Sequence, residues 1–337
     1  MSDLVSCIIC HHMGEKLLFN TLDSIQSSSE VDFEIIVVTS SEDNVSKFQS
    51  SYENVTFITV TGGPAHKRNV ATRYAKGNYF AFFDDDVELT PLSIYYMLRT
   101  LKQKSAGMVY GKLLNMQFRD RFDEAGSFLT STGFLYARCE SGIQDKGQFE
   151  ETCQILAGKS ASCIVRRSTF FKIGGFDVSY GILGEETDLS WRIWLSGSSV
   201  WFCPRSVTYH AFNTKFKPAN FYVPERVYRN GCRNYLSMLL TNLENKHLIW
   251  PIFIQVIVWS TAGIGMIFTG KNEAGSYIFK GLYDVVKNMR AILHKRSLVQ
   301  GSRVISDKEL FKFIKKDPPF KYYWKRFFHY IKTGRHG

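Results

Sequence analysis

Short apolar, β-branched or aromatic runs at residues 4–10 (LVSCIIC), 33–39 (FEIIVVT), 55–60 (VTFITV) and 78–84 (NYFAFFD) alternate with segments of helical spacing near 15–27, 43–51, 64–76 and 91–104. This βαβαβαβ order predicts an α/β fold in which a parallel sheet carries helices on both faces. Further strands are expected near 107–113, 160–166, 199–203 and 206–210, with a helix from about 185 to 196. Beyond residue 218 the pattern turns helical. Two regions follow, an α/β part at residues 1–220 and a helical, basic part at 221–337.

The helical part opens on 22 residues without a charge, Leu248 to Thr269. At ~1.5 Å per residue they are long enough to cross a ~30 Å hydrocarbon core. The next segment, 277–293, sets Lys280, Asp284, Lys287 and Arg290 on one helical face and Ile278, Leu282, Val285, Met289 and Ile292 on another, the pattern of an interfacial helix. Residues 320–331 (FKYYWKRFFHYI) mix basic and aromatic side chains as headgroup-level anchors do. A buried core helix with a solvated basic face is the competing reading of the same pattern.

Charge sharpens this picture. The 337-residue chain has a net charge of +11, yet residues 1–270 carry 26 Lys and Arg against 26 Asp and Glu, and residues 271–337 carry 16 against 5. The whole excess lies in the tail, which suits either nucleic acid or an anionic membrane surface. The adjacent uncharged run selects the membrane surface and argues against nucleic acid. Basic flanks stay cytoplasmic, so a single crossing at 248–269 would separate the tail from a cytosolic N-terminal region. A monotopic or re-entrant attachment by residues 248–331 at the cytoplasmic face is therefore expected. Seven cysteines without regular spacing, and an N-terminus that opens straight into a strand-like run, point to a reducing compartment. Composition, with 45% hydrophobic residues and 15% aromatics, excludes a disordered chain.

Chemistry concentrates at two acidic clusters. Asp84-Asp85-Asp86 ends the most apolar strand, and the carboxyl ends of strands in an open sheet face the ligand crevice. Three adjacent anions repel unless a cation neutralises them, and the alternate pair Asp84 and Asp86 can face one side to hold a divalent ion through oxygen. An acidic turn before the helix near Pro91 is the plainer reading. Glu185, Glu186 and Asp188 open the helix predicted at about 185–196, where the helix dipole favours ionised carboxylates. There Asp188 also has a structural reading, a pair with Arg192 one turn on, and Glu185 one as a first-turn charge.

With these residues in place, the chain resembles the inverting glycosyltransferases of family 2, with the GT-A fold. The resemblance runs over about residues 4–235. It is carried by the first strand and helix (SCIICHHMGEKLLFNTLDSI), the second strand (EIIVV), Gly63 to Asn69 with Lys67-Arg68-Asn69, Asp84-Asp85-Asp86, Arg166-Arg167 before Gly174-Gly175-Phe176-Asp177, the cluster from Glu185 to Leu189, and Pro204 followed by His210.

The resemblance implies a Rossmann-like nucleotide-diphospho-sugar transferase fold with a mixed sheet, a nucleotide-sugar donor and a divalent cation, Mg²⁺ or Mn²⁺. It assigns Cys10, His11, Thr39, Ser40, Lys67, Arg68, Asp84 and Asp85 to the donor. Asp84, Asp86 and His210 fall to the metal, although a lone histidine is as often structural. An inverting transfer needs one carboxylate to take the acceptor hydroxyl's proton, and Glu186 holds that position in the motif, beside Glu185 and Asp188. The loop Gly174 to Asp177 resembles the one that closes under the acceptor.

Two departures bear on specificity. Cys10-His11-His12-Met13 replaces the family's usual Pro-Thr-Tyr-Asn, and Thr39-Ser40 replaces paired aspartates, removing a carboxylate from the base contact. The Q-x-x-R-W signature of processive synthases is absent, with Ser190-Trp191-Arg192-Ile193-Trp194 in its region. Single-sugar transfer to a lipid-linked or surface-glycan acceptor, polyprenyl-linked or otherwise, is the leading expectation. A non-catalytic GT-A-fold scaffold of a membrane glycan-assembly complex is the second, favoured by Thr39-Ser40 and opposed by both acidic clusters.

Overall fold

The computed structural model describes residues 3–12, 14–40, 48–49, 52–211 and 225–333. The N-terminal half builds the expected alternation: β1 (Val5–Cys10), α1 (Glu15–Gln26), β2 (Phe33–Thr39), β3 (Val55–Thr59), α2 (Pro64–Tyr74), β4 (Tyr79–Asp84), β5 (Val87–Leu89), α3 (Ser93–Gln103) and β6 (Met108–Asn115). Most of the helix expected at 43–51 lies outside the described residues. Strands β1 and β4 are buried along nearly their whole length, as continuous apolar runs between two helical layers must be. Their pairing is parallel, with Cys10 opposite Asp84. The two chains therefore leave the sheet side by side, and His11 emerges next to Asp85.

The second half departs from a purely parallel sheet. After β7 (Phe122–Glu124), β8 (Ser127–Leu129), β9 (Leu135–Ala137) and β10 (Cys153–Gln154), strand β11 (Ser162–Arg166) inserts between β4 and β6, antiparallel to both. The chain returns here through short strands and loops without a crossover helix, so antiparallel pairing is available. The sheet is thus mixed, in the order β10-β12-β6-β11-β4-β1-β2-β3, with β5 against β12 and β7 against β6. The two strands expected at 199–203 and 206–210 are one, β12 (Val200–His210), whose register shifts between Cys203 and Val207. That irregularity accommodates Pro204, which has no N–H for a ladder. Strand β12 pairs His210 with Val87, bringing the histidine to the chain that follows Asp86.

Helices α4 (Arg167–Lys172) and α5 (Glu185–Leu195) cover the sheet, and α6 (Gly231–Asn242) to α11 follow. Trp191 and Trp194 of α5 are buried in the core, as their spacing implies. That same core takes Met238, Leu239 and Leu243 from the α6 region and Leu310 and Ile314 from α10 (Asp307–Ile314). The C-terminal helices therefore share apolar contacts with the α/β layer. Helix α7 (Asn245–Phe268) buries Gln255, Trp259, Ala262 and Met266. Its other side exposes Ile249, Trp250, Phe253, Val256, Ile257, Ile264 and Phe268.

The segment expected to lie as one interfacial helix is instead two, α8 (Asn272–Lys287) and α9 (Met289–Gly301). Its apolar face is spent inside the protein: Ile278, Val285 and Ile292 join Cys232, Leu236 and Trp259 in a separate cluster. Asp284 is not on a solvated face either, since Arg229 donates to both its oxygens at 2.6 and 3.1 Å. The last helix, α11 (Phe320–Thr333), exposes Phe320, Trp324 and Phe328 on one side and buries Tyr330.

Candidate active site

Asp84 ends β4, and Asp85 and Asp86 form the tight turn into β5, which sends the three carboxylates in different directions. Asp84 and Asp86 face His210 at the end of β12, with His210 Nε2 3.2 Å from Asp86 Oδ1 and 3.9 Å from Asp84 Oδ2. Asp85 turns the other way. Its Oδ2 accepts from the His12 amide at 2.6 Å and lies 2.9 Å from His11 Nδ1, tying the ends of β1 and β4 together.

Arg68 links this cluster to the second one. Helix α2 begins at Pro64, whose fixed φ suits a first helical position, and carries Lys67 and Arg68 inward, both nearly fully buried. The Arg68 guanidinium donates to Asp84 Oδ1 at 2.9 Å and to Glu185 Oε1 at 3.4 Å. Arg68 Nε and Glu185 Oε2 are buried without a hydrogen-bond partner among the described residues. Asn69 fixes the neighbouring loop by a double hydrogen bond to the Phe176 backbone, at 2.7 and 2.9 Å.

Glu185 and Glu186 stand at the start of α5, presented by a loop whose backbone runs through positive φ at Gly181, Leu183 and Gly184 (68°, 75° and 86°). For Leu183 that conformation is costly, and the loop is held from outside. Asn234 on α6 donates to the carbonyls of Tyr180, Ile182 and Leu183 at 2.9, 3.0 and 2.7 Å.

The electrostatics divide the groups by role. Burial, reinforced by Glu185, pushes the Glu186 carboxyl well above the usual carboxylate range. Burial also raises Asp84, against the opposing pull of Arg68, and Asp86 adds to the rise. Burial alone would lower His210, but Asp86 and then Asp123 outweigh it and raise its pKa to about 9. Burial lowers the Lys67 ammonium.

Asp84, Asp86 and His210 can each bring one ligand atom into a group spanning no more than 4.8 Å. Two hard oxygens and one imidazole nitrogen suit a divalent ion, and a positive charge there would relieve the strain that lifts Asp84. The residues present therefore fit a cation.

The other sequence candidates occupy distinct places. Cys10 is buried, with its thiol pushed up to about 11 by burial. Thr39 is buried at the end of β2 and Ser40 is exposed beyond it. Lys67 donates to the His11 carbonyl at 3.4 Å. Asp188 is wholly buried and accepts from Arg192 at 2.7 Å, Lys295 at 3.0 Å, Tyr180 at 3.1 Å and Asn242 at 3.1 Å. The structural reading of Asp188, a pair with Arg192, is the one its geometry supports. Sequence reasoning missed Asp123, Lys159, Asn234 and Lys295. Each acts through a contact across 36 to 107 residues, and spacing along the chain carries no signal of such contacts.

Residues 6–172 match the model of glycosyl transferase family 2. That stretch of the chain belongs to the family. Among curated relatives, a 125-residue stretch is 32% identical to a poly(ribitol-phosphate) beta-glucosyltransferase of Bacillus spizizenii, covering 34% of this chain and 20% of that one. The chain thus spans about a fifth of that relative's length. Among solved structures, S. aureus TarS 1–349 in complex with UDP-GlcNAc superposes with a TM-score of 0.58 at 18% identity, over 88% of this chain and 86% of that one. GalNAc-T7 with UDP, GalNAc and Mn²⁺ gives 0.59 at 13% identity, over 86% and 58%. The chain accordingly has the GT-A fold, with the mixed sheet described above.

Proposed function

We propose that this protein is a metal-dependent inverting glycosyltransferase that moves one sugar from a nucleoside-diphosphate sugar to a lipid-linked or surface-glycan acceptor. The observation that carries this reading is the Arg68 guanidinium joining Asp84 of the Asp84–Asp86–His210 cluster, at the end of β4, to Glu185, which stands next to Glu186 at the start of α5. Donor and base sites of an in-line displacement must lie together, and Arg68 is the physical join.

Asp84, Asp86 and His210 would hold Mg²⁺ or Mn²⁺, which supplies Lewis-acid stabilisation of the departing diphosphate. Arg68 and Lys67 offer positive charge to the same phosphates, Arg68 exchanging its carboxylate partners for phosphate oxygens. Cys10, His11, Thr39, Ser40 and Asp85 line the ends of β1, β2 and β4 on the nucleotide side. The relatives that bind UDP or a UDP-sugar make UDP the first nucleotide to test. Glu186 is the base: its raised proton affinity suits it to take the acceptor hydroxyl's proton as that oxygen attacks the anomeric carbon. Glu185, held by Arg68, sets the field around it.

The exposed apolar side of α7 and the Phe320, Trp324 and Phe328 side of α11, interleaved with Lys321 and Lys325, support attachment to an anionic membrane surface at its cytoplasmic face. Because α7 also packs one side on the protein, a monotopic seat suits it better than an isolated crossing. The poly(ribitol-phosphate) beta-glucosyltransferase among the relatives supports a polymer as acceptor. The test is release of UDP from UDP-GlcNAc, UDP-glucose and UDP-GalNAc with Mn²⁺, with and without membranes as acceptor source. Turnover stimulated by membranes supports the reading, and no turnover of any nucleotide sugar, GDP-mannose included, contradicts it.

A further inference from the structure

Behind the metal cluster lies a chain of three groups, His210 and Asp123 buried and Lys159 half-buried. His210 Nδ1 is 2.8 Å from Asp123 Oδ2, and Lys159 donates to Asp123 Oδ1 at 2.6 Å. Asp123, on β7, is 4% exposed. An ionised carboxylate only accepts, so Nδ1 carries the hydrogen and His210 turns its Nε2 edge toward Asp86 and Asp84. We propose that Asp123, oriented by Lys159, is a positioning residue that fixes the tautomer and ring direction of His210 so that Nε2 is presented to the divalent cation. This inference rests on the metal reading above and adds a residue to it from outside the acidic motif.

The geometry excludes the simpler role of a generic core ion pair. Lys159 and Asp123 satisfy each other through Oδ1, which leaves Oδ2 for the imidazole. A carboxylate behind a metal-bound histidine raises the ligand's basicity and removes its freedom to rotate. Lys159 keeps that carboxylate ionised and stops it from rotating away. Strand β7 pairs with β6, which in turn pairs with β12, so the support is built into the sheet and stands ready before any ligand arrives.

The test compares the full chain with Asp123→Asn, with Asp123→Asn/Lys159→Met, which removes the unpaired ammonium along with the carboxylate, and with His210→Ala. Calorimetry measures Mn²⁺ affinity in the presence of UDP, thermal unfolding reports stability, and the visible spectrum of the Co²⁺-loaded protein reports the ligand field. The expected result is a 10–100-fold weaker Mn²⁺ affinity in both Asp123 variants. The Co²⁺ spectrum is expected to change even in the double variant with near wild-type thermal stability. Unchanged affinity and spectrum in a folded Asp123 variant, with a clear loss in His210→Ala, would overturn the positioning role alone. Wild-type affinity in His210→Ala would overturn the metal reading beneath it, and the positioning role with it.

Discussion

Arg68 NH1 lies 3.4 Å from Glu185 Oε1, a contact across 117 residues that joins the first helix after β3 to the helix that opens the second acidic cluster. Its other terminal nitrogen holds Asp84 at 2.9 Å, so one buried cation compensates two carboxylates from different halves of the site.

Arg68→Met removes that cation and leaves the buried Glu185 and the part-exposed Asp84 without it. Breaking a buried ion pair from one side costs about 3 kcal/mol. The variant is expected to unfold at lower urea concentration and to bind nucleoside diphosphate at least tenfold more weakly. Urea unfolding and calorimetry check the two effects separately.

Glu186→Gln keeps the shape of the side chain and removes its ability to take a proton. General-base catalysis contributes roughly 10²–10⁴-fold, so transfer should fall by about that factor with UDP affinity retained. Single-turnover transfer beside UDP binding checks this, and wild-type transfer in the variant would remove Glu186 from the reaction.

The position of the first acidic cluster in the fold was legible in the sequence because local pattern sets it. The β1 and β4 runs are apolar enough to be central strands, which puts Asp84 to Asp86 at a strand end, while the turn at Asp85–Asp86 sets the directions of their side chains. The strands β5 and β7 to β10 are two or three residues long, too short for an alternating signal, and β7 carries Asp123. The segment 277–293 was legible as an amphipathic helix but not in its partner: periodicity shows that Ile278 and Val285 share a face, and not whether protein or lipid covers it. Asp188 shows the same limit. Its sequence neighbours suggested either a base or a pair with Arg192, and only the arrival of Lys295 and Asn242 from the C-terminal helices settles its surroundings.

Asp188 also gives a pH dependence. Burial would raise its carboxyl, but Arg192 and Lys295 hold it well below the usual carboxylate range. A group with a depressed folded-state pKa contributes stability above its unfolded value of about 3.9, and loses it as pH falls toward the folded value. Wild-type stability should therefore be level above about pH 5 on this account and drop steeply below about pH 4. Asp188→Asn should be destabilised by about 3 kcal/mol at pH 7, with a shallower acid slope. Urea unfolding from pH 7 to pH 2 measures both.

The exposed apolar sides of α7 and α11 can be changed without touching the site. Trp250→Asp, Phe253→Asp and Trp324→Asp each replace an exposed aromatic ring, more than half accessible, by a charge. Each should weaken co-sedimentation with anionic phospholipid vesicles several-fold, the triple variant abolishing it, while Mn²⁺-dependent UDP binding stays at the wild-type level. Vesicle binding unaffected by all three would contradict attachment through α7 and α11.

The most direct measurement is calorimetric titration of UDP into the wild-type protein and Asp86→Ala, each with and without Mn²⁺. Binding that requires Mn²⁺ in the wild type and weakens at least tenfold in Asp86→Ala is the expected result for a metal-dependent donor site. UDP binding of equal strength with and without Mn²⁺, or wild-type binding in Asp86→Ala, would contradict it.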